Sequence, residues 1–366
     1  MPDHHLRARA AVAVERGKPL QVREISVRAP GSDEVVVRVV VCGICASDVH
    51  VWRTGEGISF PAVLGHEAAG VIEAVGDNVR GVGPGSRVLV TWVAQCGTCR
   101  ACRSGRPQLC AAISTDGVDG SLTLDGEPLA RYMSVAGLAE RIVVPARRVL
   151  PVPDTIALDE ACLVGCGVTT GFGAAVISGQ AQWGDSVAVF GCGAVGLSAI
   201  QGARVAGAGR IIAVDTNRQR LEAAGRLGAT ELLCPDDGEP SEAILQLSDG
   251  GVDLAVEAVG SPLVARQAFE AIAPGGRAVV VGLTSYRDEI KVPVVSLLLD
   301  RTLRGSIHGS ANPARDIPRL FELMEGGQLR LAELSGPRFS LEQATDALAA
   351  LEAGEAIRPR VTLQAE

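Results

Sequence analysis

The sequence is poor in aromatic residues and in lysine. Phe, Trp and Tyr make up 3% of its 366 residues, and Lys18 and Lys291 are its only lysines. Acidic residues outnumber basic ones, 42 to 34, so the formal net charge is −8. Because binding to nucleic-acid phosphates requires clustered Lys and Arg, this charge argues against nucleic acid as the main partner.

Long hydrophobic runs are also missing. The run at residues 35–41 is interrupted by Arg38, and a membrane-spanning helix needs about 20 apolar residues. The first 20 residues contain no continuous apolar stretch of the kind found in signal peptides. We therefore expect no membrane partner and a cytoplasmic location, where the ten cysteines would not form a disulfide framework.

The pattern of apolar and turn residues changes along the chain. From residue 10 to about 153, short Val-rich runs (34–41, 70–75, 87–90 and 141–144) are separated by turn residues, which is typical of a compact β-rich domain. From about 168 to 306, β-branched runs alternate with Ala- and Leu-rich helical patterns, which predicts βαβ units and a parallel sheet. Helical patterns at 317–324 and 341–351 and an apolar run at 360–363 form a tail that should pack back on the first domain. The predicted fold class is α/β, with domains at 1–167, 168–308 and 309–366.

A glycine-rich loop opens the second region. A predicted strand at 186–190 runs into Gly-x-Gly-x-x-Gly and then into a helix, and Asp215 ends the next strand about 20 residues on. Such a loop lets a pyrophosphate approach the backbone at a helix N-terminus. The acid would bind the adenosine ribose and repel a 2′-phosphate, so NAD is preferred over NADP, although basic residues nearby leave room for some NADP. The predicted cofactor-binding residues here are Gly191, Gly193, Ala194, Val195, Gly196, Asp215 and Arg220.

Four cysteines lie close together in a Gly- and Pro-containing segment. Cys96, Cys99, Cys102 and Cys110 are spaced so that four thiolates can surround one tetrahedral zinc. A closed shell of four sulfurs has no position for a substrate, so this site would be structural. An iron–sulfur cluster is the main alternative, but the last spacing is too long for a ferredoxin-type run. Unliganded thiols are the other alternative.

Three further residues, in three separate segments, are potential ligands of a second metal. Cys45, His66 and Cys166 are one His and two Cys, and three protein ligands would leave a fourth zinc position open, as catalysis requires. Spacing alone does not pair them. Either cysteine by itself is more often a buried thiol.

Taken together and in this order, these motifs resemble the zinc-containing medium-chain alcohol dehydrogenases over essentially the whole chain. The segment 124–132 is also similar to that of the liver-type members. The resemblance implies a GroES-like β-rich catalytic domain and a Rossmann doubly wound domain, with the active site in the cleft between them. It implies two zinc ions per subunit: a catalytic ion on Cys45, His66 and Cys166, and a structural ion on the four-cysteine cluster. Glu67 would act as a transient ligand or tune the metal from beside it.

The family mechanism assigns further roles. Ser47 would accept the alcohol proton and pass it through the nicotinamide ribose to His50, which exchanges it with solvent. Asp48 would brace the zinc site. Hydride would move reversibly between NAD and a small alcohol or aldehyde. The favoured substrates would be primary alcohols, with aromatic and allylic alcohols among them.

Several positions depart from the liver-type pattern. Ala46 stands where the liver-type members commonly have a basic residue that binds the pyrophosphate of NAD. Arg358 matches a second arginine of the family that binds phosphate. Trp92 falls where an aromatic residue lines the alcohol pocket; its indole would narrow that pocket, and core packing is the alternative reading. Glu56 lies in a segment that usually supplies apolar pocket wall, and we expect it to be simply solvated.

Other functions on this scaffold remain open at this point. One is an NAD(P)H-dependent reductase of an enal or iminium-like substrate, and another is a formaldehyde dehydrogenase that acts on a thiol adduct. A non-catalytic nucleotide-binding member is a third. The resemblance also implies a homodimer or homotetramer, with an extended edge over residues 292–303 joining two Rossmann sheets, and it leaves open a permanently bound NAD.

Overall fold

The computed structural model describes Leu6–Ala365 and divides the chain into two compact units. The first comprises Met1–Cys166, Asn312–Glu325 and Ser335–Glu366, and the second comprises Gly167–Ala311 and Gly326–Leu334. The predicted tail at 309–366 is thus shared, because twelve of its residues, 309–311 and Gly326–Leu334, lie with the second unit.

The described part of the chain contains nineteen strands and eleven α-helices. The strands are β1 (Leu6–Ala13), β2 (Gln21–Val27), β3 (Glu34–Gly43), β4 (Ala62–Val63), β5 (Glu67–Val75), β6 (Arg87–Val90), β7 (Leu122–Leu124), β8 (Glu127–Pro128), β9 (Ala130–Arg131), β10 (Arg141–Pro145), β11 (Val149–Pro151), β12 (Ser186–Phe190), β13 (Arg210–Val214), β14 (Glu231–Leu233), β15 (Val252–Glu257), β16 (Ile272–Val280), β17 (Thr302–Gly305), β18 (Arg338–Ser340) and β19 (Arg360–Thr362). The helices are α1 (Ala46–Thr54), α2 (Arg100–Arg103), α3 (Leu158–Leu163), α4 (Thr169–Gly173), α5 (Ala194–Val205), α6 (Arg218–Leu227), α7 (Pro240–Leu247), α8 (Pro262–Glu270), α9 (Val294–Leu297), α10 (Pro313–Glu325) and α11 (Ala344–Glu352).

The second unit contains a six-stranded parallel sheet. Its order is β14-β13-β12-β15-β16-β17, and every neighbouring pair is parallel. The strand order therefore reverses between β12 and β15, and ligands of doubly wound sheets bind beyond the carboxyl ends of the strands at such a point. The predicted α/β class with a parallel sheet is confirmed.

The first unit contains two mostly antiparallel sheets around one apolar core. One sheet has the order β8-β7-β2-β1-β4-β9. The other has the order β11-β6-β5-β3-β19-β18, with β10 also paired to β3. All four Val-rich runs predicted as strands are strands, and the apolar end of the chain pairs with β3 as β19.

The pairing of β3 with its two neighbours, in the first unit, explains where the site lies. Strand β3 is antiparallel to both β5 and β19, with Gly43 opposite Glu67 on one side and opposite Arg360 on the other. The end of β3 is therefore flanked by the start of β5 and the start of β19. Because β3 leads directly into α1, this register brings three distant parts of the chain together.

Two expectations about apolar segments need correction. Residues 292–303 do not form one extended edge: Val294–Leu297 is helix α9, and only Thr302–Gly305 is strand. The helical stretch Leu158–Ser178 has a mean hydropathy of 1.7 and is long and apolar enough to cross a membrane, contrary to the expectation that long hydrophobic runs are missing. The most apolar part of this stretch is 78% buried inside the protein, as is usual for a core helix.

Candidate functional site

Four potential metal ligands converge in the first unit. Ligand atoms of Cys45, His66, Glu67 and Cys166 all lie within 4.8 Å of one another. Cys45 follows β3, and the His66–Glu67 pair begins β5, so the strand register described above brings these residues together. Two thiols and an imidazole at this separation suit three ligands of a tetrahedral zinc, whose bonds to sulfur and nitrogen are about 2.0–2.3 Å long. The Glu67 carboxylate lies close enough to be the transient ligand that the resemblance implies.

Cys166 reaches the same place from a π-helical segment, Val164–Val168. The neighbouring Gly165 permits this approach, since a Cβ there would lie 2.9 Å from Leu89 and 3.2 Å from the Val90 carbonyl oxygen. Single π-helical turns inside longer helices are frequent at functional sites. Here the turn packs against β6.

Asp48 connects two of the ligand segments. Its buried carboxylate accepts hydrogen bonds from the Cys45 backbone N–H (2.9 Å), the Gly65 backbone N–H (3.0 Å) and the His66 Nδ1–H (3.2 Å). The last bond places the His66 proton on Nδ1 and leaves Nε2 as the nitrogen for a metal. The structure thus places Asp48 where a brace for the cluster would lie.

Arg358 lies in the same buried cluster. Its guanidinium is 3.6 Å from the Glu67 carboxylate and donates to the Ile44 carbonyl at 3.3 Å. Burial alone would lower the pKa of Arg358, but Glu67 and the two nearby sulfurs raise it, so the cation persists. A hydrogen bond from Cys166 lowers the pKa of Cys45 well below its usual value, and Arg358 adds to this effect. The cluster therefore favours the thiolate of Cys45, the form that binds metal, whereas the hydrogen bond with Cys45 and burial raise the pKa of Cys166 well above its usual value. The predicted phosphate-binding role of Arg358 stays a prediction.

Helix α1 carries both residues predicted to move protons. Ser47 and His50 are three residues apart, so they share one face of the helix, and both are partly exposed whereas Asp48 and Val49 are buried. Tyr132 lies next to this face. Its ring packs edge-on against His66, with centroids 5.4 Å apart. Burial raises the pKa of Tyr132, and a hydrogen bond with the Ser47 side chain opposes this rise. Sequence reasoning missed Tyr132 as a site residue, since a lone Tyr in a liver-like segment carries no motif.

The structure bears differently on Trp92 and Glu56, the two residues discussed above in relation to the alcohol pocket. Trp92 is 5% exposed and packs within the apolar core of the first unit, and its predicted place in the alcohol pocket stays a prediction. Glu56 is not simply solvated, contrary to expectation, because its carboxylate lies 3.1 Å from His50 Nε2.

The four-cysteine cluster is assembled as a compact lobe. The sulfurs of Cys96 and Cys102 are 3.9 Å apart and those of Cys99 and Cys110 are 4.0 Å apart, close to the roughly 3.8 Å between sulfurs around a tetrahedral zinc. Backbone N–H groups point at the sulfurs, and the one from Cys99 contributes most to lowering the pKa of Cys96 to about 5. All four are free thiols, so the lobe fits a metal ion and contains no disulfide.

The glycine loop of the second unit follows β12 at the point where the strand order reverses. Gly191 has φ +91°, and a Cβ there would lie 2.7 Å from Val259, in the segment after β15. A Cβ on Gly196 would lie 1.7 Å from the Gly191 carbonyl oxygen, so the helix packs directly on the loop. Gly193 caps α5, ahead of Ala194 and Val195, and a Cβ there would meet no protein atom within 4 Å. Open space at this position suits a pyrophosphate against the backbone.

Asp215 lies beside this loop. Its carboxylate accepts backbone hydrogen bonds from Cys192 (2.6 Å) and Asn217 (2.8 Å). Of the basic residues that follow, Arg218 is paired with Asp237 at 2.9 Å. The Arg220 cation opposes the rise in the pKa of Cys192 that burial causes. In doubly wound folds an acid beside this loop binds the ribose of a dinucleotide, and that role of Asp215 stays a prediction.

Comparisons with known proteins identify relatives over the full length. The model of the alcohol dehydrogenase GroES-like domain matches residues 31–154, and that of the zinc-binding dehydrogenase matches residues 194–326. An alcohol dehydrogenase class-P from Arabidopsis thaliana is 36% identical and covers 98% of both chains. An S-(hydroxymethyl)glutathione dehydrogenase from Escherichia coli is 38% identical over 96% of this chain and 99% of its own. The crystal structure of a benzyl alcohol dehydrogenase from Acinetobacter calcoaceticus superposes with a TM-score of 0.93 at 30% identity, covering 98% of this chain and 100% of its own.

Proposed function

The chain belongs to the zinc-containing medium-chain alcohol dehydrogenases, and from this premise we propose that it interconverts primary alcohols and aldehydes. It is an oxidoreductase acting on CH–OH groups, with zinc and NAD as cofactors. The observation that carries the proposal is the convergence of Cys45, His66 and Cys166 from three segments. Three protein ligands are the set that keeps a zinc coordination position open for substrate.

Each residue of the site has its own role in the proposed reaction. Zinc, when bound, supplies a Lewis acid that lowers the pKa of an alcohol hydroxyl. Ser47 takes the hydroxyl proton, and His50, on the same face of α1, releases a proton to solvent. Asp48 holds Cys45 and His66 in place by accepting from the Cys45 backbone N–H and the His66 Nδ1–H. The Arg358 cation offsets the negative charge of Glu67 and of the nearby sulfurs.

In the proposed substrate range, linear and benzylic primary alcohols are preferred to branched secondary ones. The support is the bulk of Trp92, whose indole would narrow the pocket. A relative named benzyl alcohol dehydrogenase adds support for aromatic substrates. Trp92→Ala should raise kcat/KM for secondary alcohols relative to primary ones. An unchanged ratio in a folded variant would assign Trp92 to core packing alone.

The proposal is tested by following NADH formation at its near-ultraviolet absorbance. Zinc-replete protein and NAD are mixed with linear, benzylic, allylic and secondary alcohols, and the reverse reaction is run with aldehydes and NADH. Turnover should vanish in Cys45→Ala and persist in Cys234→Ala, a buried cysteine outside both clusters. No turnover in either direction by folded, zinc-loaded protein would reject the proposal.

A second candidate reaction is oxidation of a formaldehyde–thiol adduct. It is favoured by the 38% identical relative named S-(hydroxymethyl)glutathione dehydrogenase. The distinguishing assay is NADH formation from formaldehyde with and without added glutathione. Activity that requires the thiol and exceeds that with every simple alcohol would replace the first proposal by this one.

We also propose that the chain forms a homodimer through its second unit. Strand β17 is an edge of the parallel sheet in the described chain, and the preceding α9 segment exposes Val294 (76%), Val295 (68%) and Leu298 (77%). Exposed apolar groups beside an open sheet edge favour pairing with a second copy. Leu298→Asp should give a monomer in light scattering, whereas Leu263→Asp, at a 64% exposed position on α8, should not. A wild-type monomer would refute the proposal.

A cytoplasmic location is proposed on the state of the cysteines. All ten are free thiols, and two groups of them are arranged as metal ligands. A reducing compartment preserves such thiols. Fractionation of host cells should place the protein with cytosolic marker enzymes, and recovery with secreted proteins would contradict this.

A further inference from the structure

The end of helix α1 folds Glu56 back onto His50. The helix stops at Gly55, which has φ 70° and donates to the Val51 carbonyl. The Thr54 hydroxyl then donates to the His50 carbonyl (2.8 Å) and accepts from the Glu56 backbone N–H (3.1 Å). These bonds direct the chain past the helix end, and Glu56 Oε2 comes to lie 3.1 Å from His50 Nε2.

Among the described residues, Glu56 is the one carboxylate within ion-pair distance of His50. The side chains of His50 and Glu56 are 24% and 34% exposed, so the pair is partly screened by solvent. The nearby cations are otherwise engaged: Arg53 pairs with Glu352, and Arg16 donates to the Thr54 carbonyl at 3.4 Å.

We propose that Glu56 is a positioning residue for His50. By accepting the Nε2–H bond, the carboxylate fixes the imidazole orientation and keeps the proton of the neutral ring on Nε2, which leaves Nδ1 as the basic nitrogen. An acid that orients a catalytic imidazole is the arrangement known from Ser–His–Asp enzymes. This inference rests on the proposed function, because it assigns to His50 the last step of proton release.

The proton balance of the step is simple. Nδ1 takes up the proton that leaves the substrate by way of Ser47, and the ring becomes an imidazolium beside the Glu56 carboxylate. Water then removes one proton, which restores the neutral Nε2–H tautomer. No electrons move in this step, and the hydride goes separately to NAD.

The test combines spectroscopy and kinetics. In ¹⁵N-histidine-labelled protein, with the His50 signals identified through His50→Gln, the nitrogen shifts should report the Nε2–H tautomer. In Glu56→Gln they should report a mixture of tautomers, because an amide can donate as well as accept. The control is Glu352→Gln, which breaks a different ion pair of the same helix and should leave the His50 tautomer unchanged.

In the alcohol assay, Glu56→Gln should lower kcat about fivefold with little change in KM, as befits a partly exposed pair. In the His50→Gln background the same substitution should have no further effect. An unchanged tautomer in Glu56→Gln would overturn the inference, as would an equal fall in kcat with or without His50. If the wild type oxidises no alcohol, the proposed function fails, while the nitrogen shifts still decide the role of Glu56.

Discussion

Replacing Asp48 by Asn should remove the catalytic zinc selectively. The carboxylate accepts three hydrogen bonds within the cluster, two on Oδ1 from Gly65 and His66 and one on Oδ2 from Cys45. Asn has the same size but only one acceptor oxygen, so its NH2 group must face a donor. In either orientation at least one buried donor loses its partner.

The expected size of the effect follows from the burial of these groups. An unsatisfied buried donor costs about 1–3 kcal/mol, and loss of a carboxylate behind a ligating His weakens metal affinity about 10–100-fold. The four-cysteine cluster contains no contact with Asp48, so its metal should be retained. Zinc content after brief chelation should therefore fall from about two ions per subunit to about one.

The assay is elemental analysis of the protein after dialysis against graded concentrations of a chelator. The control is Asp125→Asn, because Asp125 is 79% exposed and pairs only with Arg23 on the surface. Equal chelator sensitivity of Asp48→Asn and the wild type would refute the bracing role. Loss of both metals together would point to general unfolding instead.

Three further predictions concern the cofactor loop and the surface of the first unit. Gly196→Ala should destabilise the protein by about 1–3 kcal/mol by overpacking, whereas Gly193→Ala, with open space at its Cβ, should keep the wild-type Tm and only weaken NAD binding in calorimetry. Asp215→Gly should shift the ratio of kcat/KM values from NAD toward NADP, and an unchanged ratio would count against its ribose role. A hydrogen bond from Arg28 holds the pKa of Glu34 below its ordinary value. The stabilisation from this ion pair is complete at a pH above the ordinary pKa of Glu and is lost as the pH falls through the pKa of Glu34 in the folded protein. Glu34→Gln should therefore lower the free energy of unfolding by about 0.5–1 kcal/mol at pH 7 and unfold like the wild type in acid. A difference between the two proteins that persists in acid would refute this.

Much of the fold was readable from periodic patterns. Alternation of apolar β-branched and helical segments predicted the parallel sheet, and the strand predicted at 186–190 has the observed bounds. Short or partly polar elements such as β14 and α7 were missed, because few apolar residues mark them. The segment Val294–Leu297 was misjudged because β-branched residues after Pro293 indicate a strand, and the observed short helix exposes them instead.

The features of the candidate site also fall into those that the sequence predicted and those that it did not. The four-cysteine spacing and the glycine loop were recognised without any structure. The roles of Cys45, His66 and Cys166 came from a resemblance, since their spacing carries no pairing signal. Nothing in the sequence indicated that Glu56 would meet His50, because that contact depends on one hydroxyl and one left-handed glycine after α1.

The sequence by itself determined the features that chain connectivity makes local: the cysteine lobe, the loop ahead of α5 and the acid that follows it. A few bonds of backbone hold such groups together whatever the rest of the fold does. The tertiary structure decided the rest. Only the pairing of β3 with β5 and β19 brings Cys45, Glu67 and Arg358 into one buried cluster, and strand register is set by packing between segments that the sequence separates widely.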